Sequence, residues 1–187
     1  MEDAGLVVVD VQNDFCPGGS LAVPEGHRVV PAINEWVAAF RARGRPVVYT
    51  RDWHPVHHVS FVERGGPWPP HCVQGTPGAA FHPALRVDGP QFLKGTDPDR
   101  DAYSGFQGID PESGLPLAAA LRRAGVRTLL VVGLATDYCV KATALDGVDA
   151  GFSVAVDENA VRAVNVAPDD GAEALSEMVK AGVRIIS

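Results

Sequence analysis

The 187-residue chain has no run of Lys and Arg, no apolar stretch of membrane-spanning length, and only three cysteines. Each shortage excludes something. Acidic residues outnumber basic ones by 23 to 16, giving a formal charge of −7. A surface of that sign without a basic cluster does not suit a nucleic-acid backbone. Without a membrane-length apolar segment, no membrane partner is expected. The cysteines sit in three unlike contexts, Phe-Cys-Pro, His-Cys-Val and Tyr-Cys-Val, and their number is odd. That argues against a disulfide framework and for a reducing compartment. The opening residues, MEDAGLVVVDVQNDF, are acidic and enter a strand pattern at once, unlike the basic start of a signal peptide. The expected location is the cytoplasm. A Gly-rich turn is also missing after that first strand, which argues against a nucleotide cofactor.

What is present is a repeating alternation. Residues 5–11, 45–50, 91–94, 128–135, 152–156 and 183–186 are short runs rich in Val, Leu and Ile without strict alternation. Such runs fit strands covered on both faces. Between them, residues 29–44, 113–125, 136–147 and 168–182 carry helical spacing, with Gly44, Gly125 and Gly182 as stop signals. The expected fold is a three-layer α/β/α sandwich around a mostly parallel sheet of roughly six strands. With 46% hydrophobic residues and no linker, repeat or low-complexity tract, residues 1–187 read as one domain. One stretch stands apart. Residues 52–83 are rich in Pro, Gly and His, too long for an ordinary connection and therefore a candidate for function.

In a parallel sheet, ligands gather beyond the carboxyl ends of the strands. Four ionisable side chains fall there on this reading. Asp10 ends the first strand, Asp52 follows the second, Lys94 ends the third, and Cys139 follows the fourth at the start of a helix. A thiol at a helix start is a candidate nucleophile, since unpaired N–H groups favour a thiolate and can hold an oxyanion. Asp10 would take its proton, and Lys94 would hold the carboxylate. Lys94 and the helix start lower the thiol pKa whereas an ionised Asp10 raises it. Taken singly, Asp10 and Lys94 would equally suit a structural ion pair and Cys139 a buried packing residue. Their convergence favours chemistry.

The long loop offers a different set. Asp52 and His54 in RDWHPVHHVSF and His71 in PWPPHCVQGTPG combine one carboxylate with two imidazoles, which suits a borderline divalent ion, Zn²⁺ first, with Fe²⁺ or Mn²⁺ as alternatives. The Asp-Trp-His spacing lets two ligands point the same way from an extended segment. Further candidates are His57, His58, Glu63 and the soft donor Cys72 beside His71.

Five segments in order, VVVDVQNDFCPGGSLAV, RDWHPVHHVSF, WPPHCVQGTPGA, KGTDPDRDAYSGF and VVGLATDYCVKATALDG, carry a resemblance over almost the whole chain. The chain resembles the nicotinamidases of the isochorismatase-like cysteine hydrolase superfamily. The resemblance implies that Cys139 is the nucleophile, Asp10 the general base and acid, and Lys94 the third catalytic member. It implies that Asp52, His54 and His71 hold the metal and that Phe15, Trp68 and Tyr103 surround a pyridine ring. It implies an oxyanion hole from the N–H groups of Ala135 and Cys139, with a cis peptide between Leu134 and Ala135. The activity implied is hydrolysis of nicotinamide to nicotinate and ammonia through a thioester, in NAD salvage, with pyrazinamide as a second substrate. Other readings stay open on the sequence: a sister amidase acting on another small amide, an isochorismatase-type reaction, or a metal- or thiol-based sensor. Oligomeric state, a homo-oligomer included, is left open as well.

Overall fold

Six strands run parallel in one sheet, in the order β3-β2-β1-β4-β5-β6, in a computed structural model that describes residues 3–187. The strands are β1 (Ala4–Val9), β2 (Val47–Asp52), β3 (Gln91–Lys94), β4 (Thr128–Leu134), β5 (Ser153–Arg162) and β6 (Arg184–Ile186). Side chains alternate across β1, so Leu6 and Val8 enter one apolar cluster while Val7 and Val9 enter the other. Both faces are therefore covered, which is why these strands read as unbroken apolar runs. Helix α1 (Val29–Arg41) closes the first face through Val30, Ile33, Val37 and Phe40. Helices α2 (Leu117–Arg123), α3 (Lys141–Asp149) and α4 (Asp170–Lys180) close the second through Leu117, Leu121, Ala144 and Met178. Full burial of a side chain such as Ile33 contributes about 1.5–3 kcal/mol. The expected α/β/α sandwich is present.

The boundaries differ from expectation where geometry overrides pattern. β1 stops at Val9 because Asp10 turns into the left-handed region at φ 47°, so Val11 lies beyond the strand. β2 starts after Pro46 and runs on to Asp52, which pairs with Lys94. β5 is twice the expected length. Its polar residues Asp157, Glu158 and Asn159 bulge out between Val156, paired with Val131, and Val161, paired with Gly133. α1 ends at Arg41, and Gly44, Gly125 and Gly182 all take positive φ just past their helices, as stop signals should. The helix expected at 136–147 is two pieces, a π turn at Thr136–Val140 and then α3.

The segment after β2 contains only short 3₁₀ turns, at Val62–Arg64 and Pro77–Ala79. It is held by isolated backbone pairings of His54 with Val73 and Phe61 with Trp68. Among the described residues, no helix is long and apolar enough to cross a membrane.

Candidate active site

The carboxyl edge of the sheet brings together the residues that the strand exits predict. Register explains it. Val9 pairs with Thr50 and with Gly133, and Asp52 pairs with Lys94, so the residues just beyond these pairs share one rim. Lys94, almost fully buried, forms ion pairs with Asp10 at 2.8 Å and with Asp52, and donates toward Cys139 Sγ at 3.4 Å. Thr50 Oγ1 donates to the other oxygen of Asp10 at 2.7 Å. One ammonium thus serves two buried carboxylates and a thiol.

Burial sets the protonation states. It pushes the Asp10 carboxyl up, with Asp52 adding to the effect and Lys94 and Thr50 opposing it. Burial would also raise Asp52, but Lys94, His54 and His71 outweigh it and hold that carboxyl well below the usual range. The Cys139 thiol is pushed well above its usual value by burial first and by Asp10 and Asp52 after it, against Lys94. The expected contest between Lys94 and Asp10 is therefore decided upward. The resting sulfur is a neutral thiol that needs a base. Lys94 stays charged, since its two carboxylates overcome the cost of burying it.

Asp52, His54 and His71 each present one donor atom within 4.8 Å of the others. His54 Nδ1 lies 3.0 Å from the Gly95 carbonyl and His71 Nδ1 lies 2.8 Å from the Pro69 carbonyl. A carbonyl can only accept, so both Nδ1 atoms carry hydrogen and both Nε2 atoms face Asp52 Oδ2, at 3.6 and 4.0 Å, where each can turn a lone pair to a cation when its ring is neutral. Two imidazole lone pairs and a carboxylate oxygen around one point form a donor set for a cation, with the carbonyls fixing each ring. The residues fit a divalent metal. Phe61, almost fully buried, packs its ring against His54 and His71 at 5.6 and 5.5 Å.

The additional metal candidates are not brought into this group. His57 and Glu63 are exposed, Glu63 on the 3₁₀ turn at Val62–Arg64. His58 is buried, yet both its nitrogens are committed, one to Ser60 Oγ at 2.7 Å and one to the Arg100 carbonyl at 3.0 Å. Its ring lies 4.2 Å from that of His54 and supports it from behind. Cys72, at φ 47°, turns its side chain into the apolar cluster on the α1 face.

Between the metal-type donors and the thiol lies a slot walled by aromatic rings. Phe15, Trp68, Tyr103 and Tyr138 line it together with Asp52, His71, Ala135 and Cys139. Trp68 Nε1 donates to the Tyr103 hydroxyl at 3.0 Å, and Tyr138 meets the Trp68 ring edge-on at 5.1 Å. The Tyr103 phenol is pushed up to about 12, chiefly by burial, so it remains a neutral acceptor for Trp68. The Leu134–Ala135 peptide is cis, and the carbonyl of Ala135 accepts from the N–H groups of Tyr138 and Val140. This curls the π turn over Ala135 and carries Cys139 to the slot. Sequence reasoning gave no role to Thr50, Phe61 or Tyr138. Phe61 and Tyr138 stand inside the recognised motifs, but only packing shows which face they present.

Residues 4–187 match the family model described as the isochorismatase domain. The chain belongs to the isochorismatase domain family. Within the family it is 46% identical, over 97% of this chain and 97% of the other, to the nicotinamidase/pyrazinamidase of Mycobacterium tuberculosis. Among solved structures it is similar to the pyrazinamidase of Pyrococcus horikoshii in complex with zinc, with a TM-score of 0.90 and 48% identity over 99% of each chain. It is also similar to a protein from L. infantum solved in complex with nicotinate, with a TM-score of 0.88 and 38% identity over 100% of this chain and 94% of that one. Membership in this family agrees with the fold and with the cysteine that follows β4.

Proposed function

We propose that this isochorismatase-domain protein is a metal-dependent cysteine amidohydrolase that converts nicotinamide to nicotinate and ammonia, and that accepts pyrazinamide as well. The observation that carries the reading is one slot lined by Asp52, His71 and Cys139 together, with His54 grouped with Asp52 and His71, and with Lys94 pairing Asp10 and donating toward Cys139. The named relatives act on, or hold, ligands of this class.

Asp52, His54 and His71 would hold one divalent ion, which supplies a Lewis-acid anchor for the ring nitrogen; zinc is the favoured ion, as in the P. horikoshii complex. Phe15, Trp68, Tyr103 and Tyr138 hold the flat ring and exclude water, leaving the carboxamide over Cys139. Asp10 takes the thiol proton as sulfur attacks the carbonyl carbon. The N–H groups of Ala135 and Cys139 receive the oxyanion, a role typically worth ~3 kcal/mol per donor. Asp10 then passes its proton to the departing amine, so the C–N bond breaks and ammonia leaves a thioester. Water, deprotonated by Asp10, attacks the thioester; nicotinate forms and the thiol is restored. Lys94 keeps Asp10 ionised and oriented between these transfers. The reaction belongs to NAD salvage, and the three free cysteines fit a reducing, cytoplasmic setting.

Ammonia release from nicotinamide by reduced, zinc-loaded protein tests the reading. Turnover lost in Cys139→Ala supports it; absence of turnover by the unaltered protein would overturn it.

A further inference from the structure

The segment that follows β1 does more than supply Asp10. Gln12 is fully buried, and its side-chain amide is saturated by backbone groups. Nε2 donates to the carbonyls of Asp52 at 2.8 Å and Ala79 at 3.0 Å, while Oε1 accepts the N–H of Asp52 at 2.8 Å. Both backbone polar groups of one residue are thus held by one side chain. The topology gives the reason. Asp52 ends β2 between β3 and β1, but the main chain of β1 has already turned away at Asp10, whose N–H makes the last contact, to Thr50, at 3.3 Å. A glutamine amide has the same donor and acceptor as a peptide group. Gln12 therefore extends the ladder by the one rung that Asp52 would lack.

Asp14 does the corresponding work on the loop. One of its oxygens accepts the N–H of Cys72, the residue after His71, at 2.7 Å, and the other accepts from Ser20 at 3.2 Å. Gly78 packs so closely on this carboxylate that a Cβ there would stand 2.1 Å from it. The Cys72 carbonyl in turn accepts from His54 N–H at 3.0 Å. Asp52 is therefore tied directly to Gln12, His71 to Asp14 through its neighbour Cys72, and His54 to the same Cys72 through its own N–H.

We infer that Gln12 and Asp14 are positioning residues that preset the spacing of the Asp52, His54 and His71 donors, and so the affinity for a divalent cation. The inference rests on the metal reading of that cluster. Neither residue contributes a donor atom to it. Outer partners of metal ligands typically govern affinity by 10–100-fold.

The full chain is tested as Gln12→Met, which keeps length but removes the amide, and as Asp14→Asn. The second change nearly preserves size yet replaces one of two acceptors with a donor, so one of the two N–H partners must go unpaired. Zn²⁺ affinity is measured by competition with a chromophoric chelator, and Co²⁺ is bound to read the ligand geometry from its visible absorption. Folding is followed by circular dichroism. The expected result is a 10–100-fold loss of Zn²⁺ affinity and an altered Co²⁺ band in folded variants. Unaltered affinity and an unaltered band in folded Gln12→Met and Asp14→Asn would overturn the inference. If Gln12→Met does not fold, Asp14→Asn decides by the same criterion. Asp52→Asn separates the two levels: if the unaltered protein binds Zn²⁺ no better than Asp52→Asn, the metal reading itself fails.

Discussion

Lys94 donates toward Cys139 Sγ at 3.4 Å although β3, which ends in Lys94, and β4, which leads into the turn bearing Cys139, are not neighbours. β2 and β1 lie between β3 and β4, a span of three strand spacings of about 4.8 Å each. The lysine side chain covers part of that distance, and the π turn bends Cys139 back to meet it. On the way the ammonium passes both Asp10 and Asp52, and among the described residues no other lysine or arginine pairs with either.

Removing that cation should be costly twice over. Lys94→Ala leaves two buried carboxylates facing each other without a counter-charge, and unfolding in urea should show a loss of about 3–5 kcal/mol. Nicotinamide turnover should fall with it. A variant as stable as the parent would show that the pair is not buried as described.

Activity should fall at acid pH through Asp10. Burial raises this carboxyl above its ordinary 3.8, so it is protonated, and useless as a base, at pH values where a free aspartate is ionised. The acidic limb of kcat/KM should therefore lie above pH 3.8. Asp10→Asn should lower kcat by roughly 10²–10⁴-fold with little change in KM. Steady-state profiles of both proteins provide the check.

Asp110 should contribute to acid stability with the opposite sign. The Ser113 hydroxyl, helped by the N–H groups of Glu112 and Ser113, holds this carboxyl below 3.8 against burial, which pushes it up. The unfolded chain then takes up the proton first as pH falls. The contribution is present above the unfolded value and is lost as pH drops through the folded one. Urea midpoints measured from pH 5 downward should fall less steeply for Asp110→Asn than for the parent.

Gly133 should tolerate no side chain. It sits at φ 123°, and a Cβ would stand 2.1 Å from the Val9 carbonyl oxygen. Gly133→Ala should cost ~3 kcal/mol or more, in the range of strained and overpacked substitutions. It should also reduce activity, because this residue sits where β4 resumes pairing beyond the β5 bulge and leads into the turn bearing Cys139. Denaturation midpoints and ammonia release are read together.

Removal of the metal should be visible in stability as well as in turnover. A cation bound only by the folded chain stabilises it by mass action, so the thermal midpoint should drop after dialysis against chelator and rise with added Zn²⁺ in a concentration-dependent way. Insensitivity of both midpoint and turnover to chelator would argue against an ion at Asp52, His54 and His71.

The sequence by itself determined the strands, because residues covered on both faces must be apolar and the six runs are legible as such. It also determined that Asp10, Asp52, Lys94 and Cys139 share an edge, because parallel strands place all their exits on one side. Ordered motifs carried the resemblance from which the family followed. Only the tertiary structure decided the rest. Among several loop histidines it brought His54 and His71 together with Asp52, each with its Nδ1 on a carbonyl, and it committed both nitrogens of His58 elsewhere. It extended β5 through a polar bulge that no apolar pattern could announce. It turned Gln12 from one more polar residue after a strand into the missing rung beside Asp52. The physical reason is common to all three. Apolar burial is written in residue type and spacing, whereas a hydrogen bond between residues 40 positions apart is specified only once the backbone has brought its partners together.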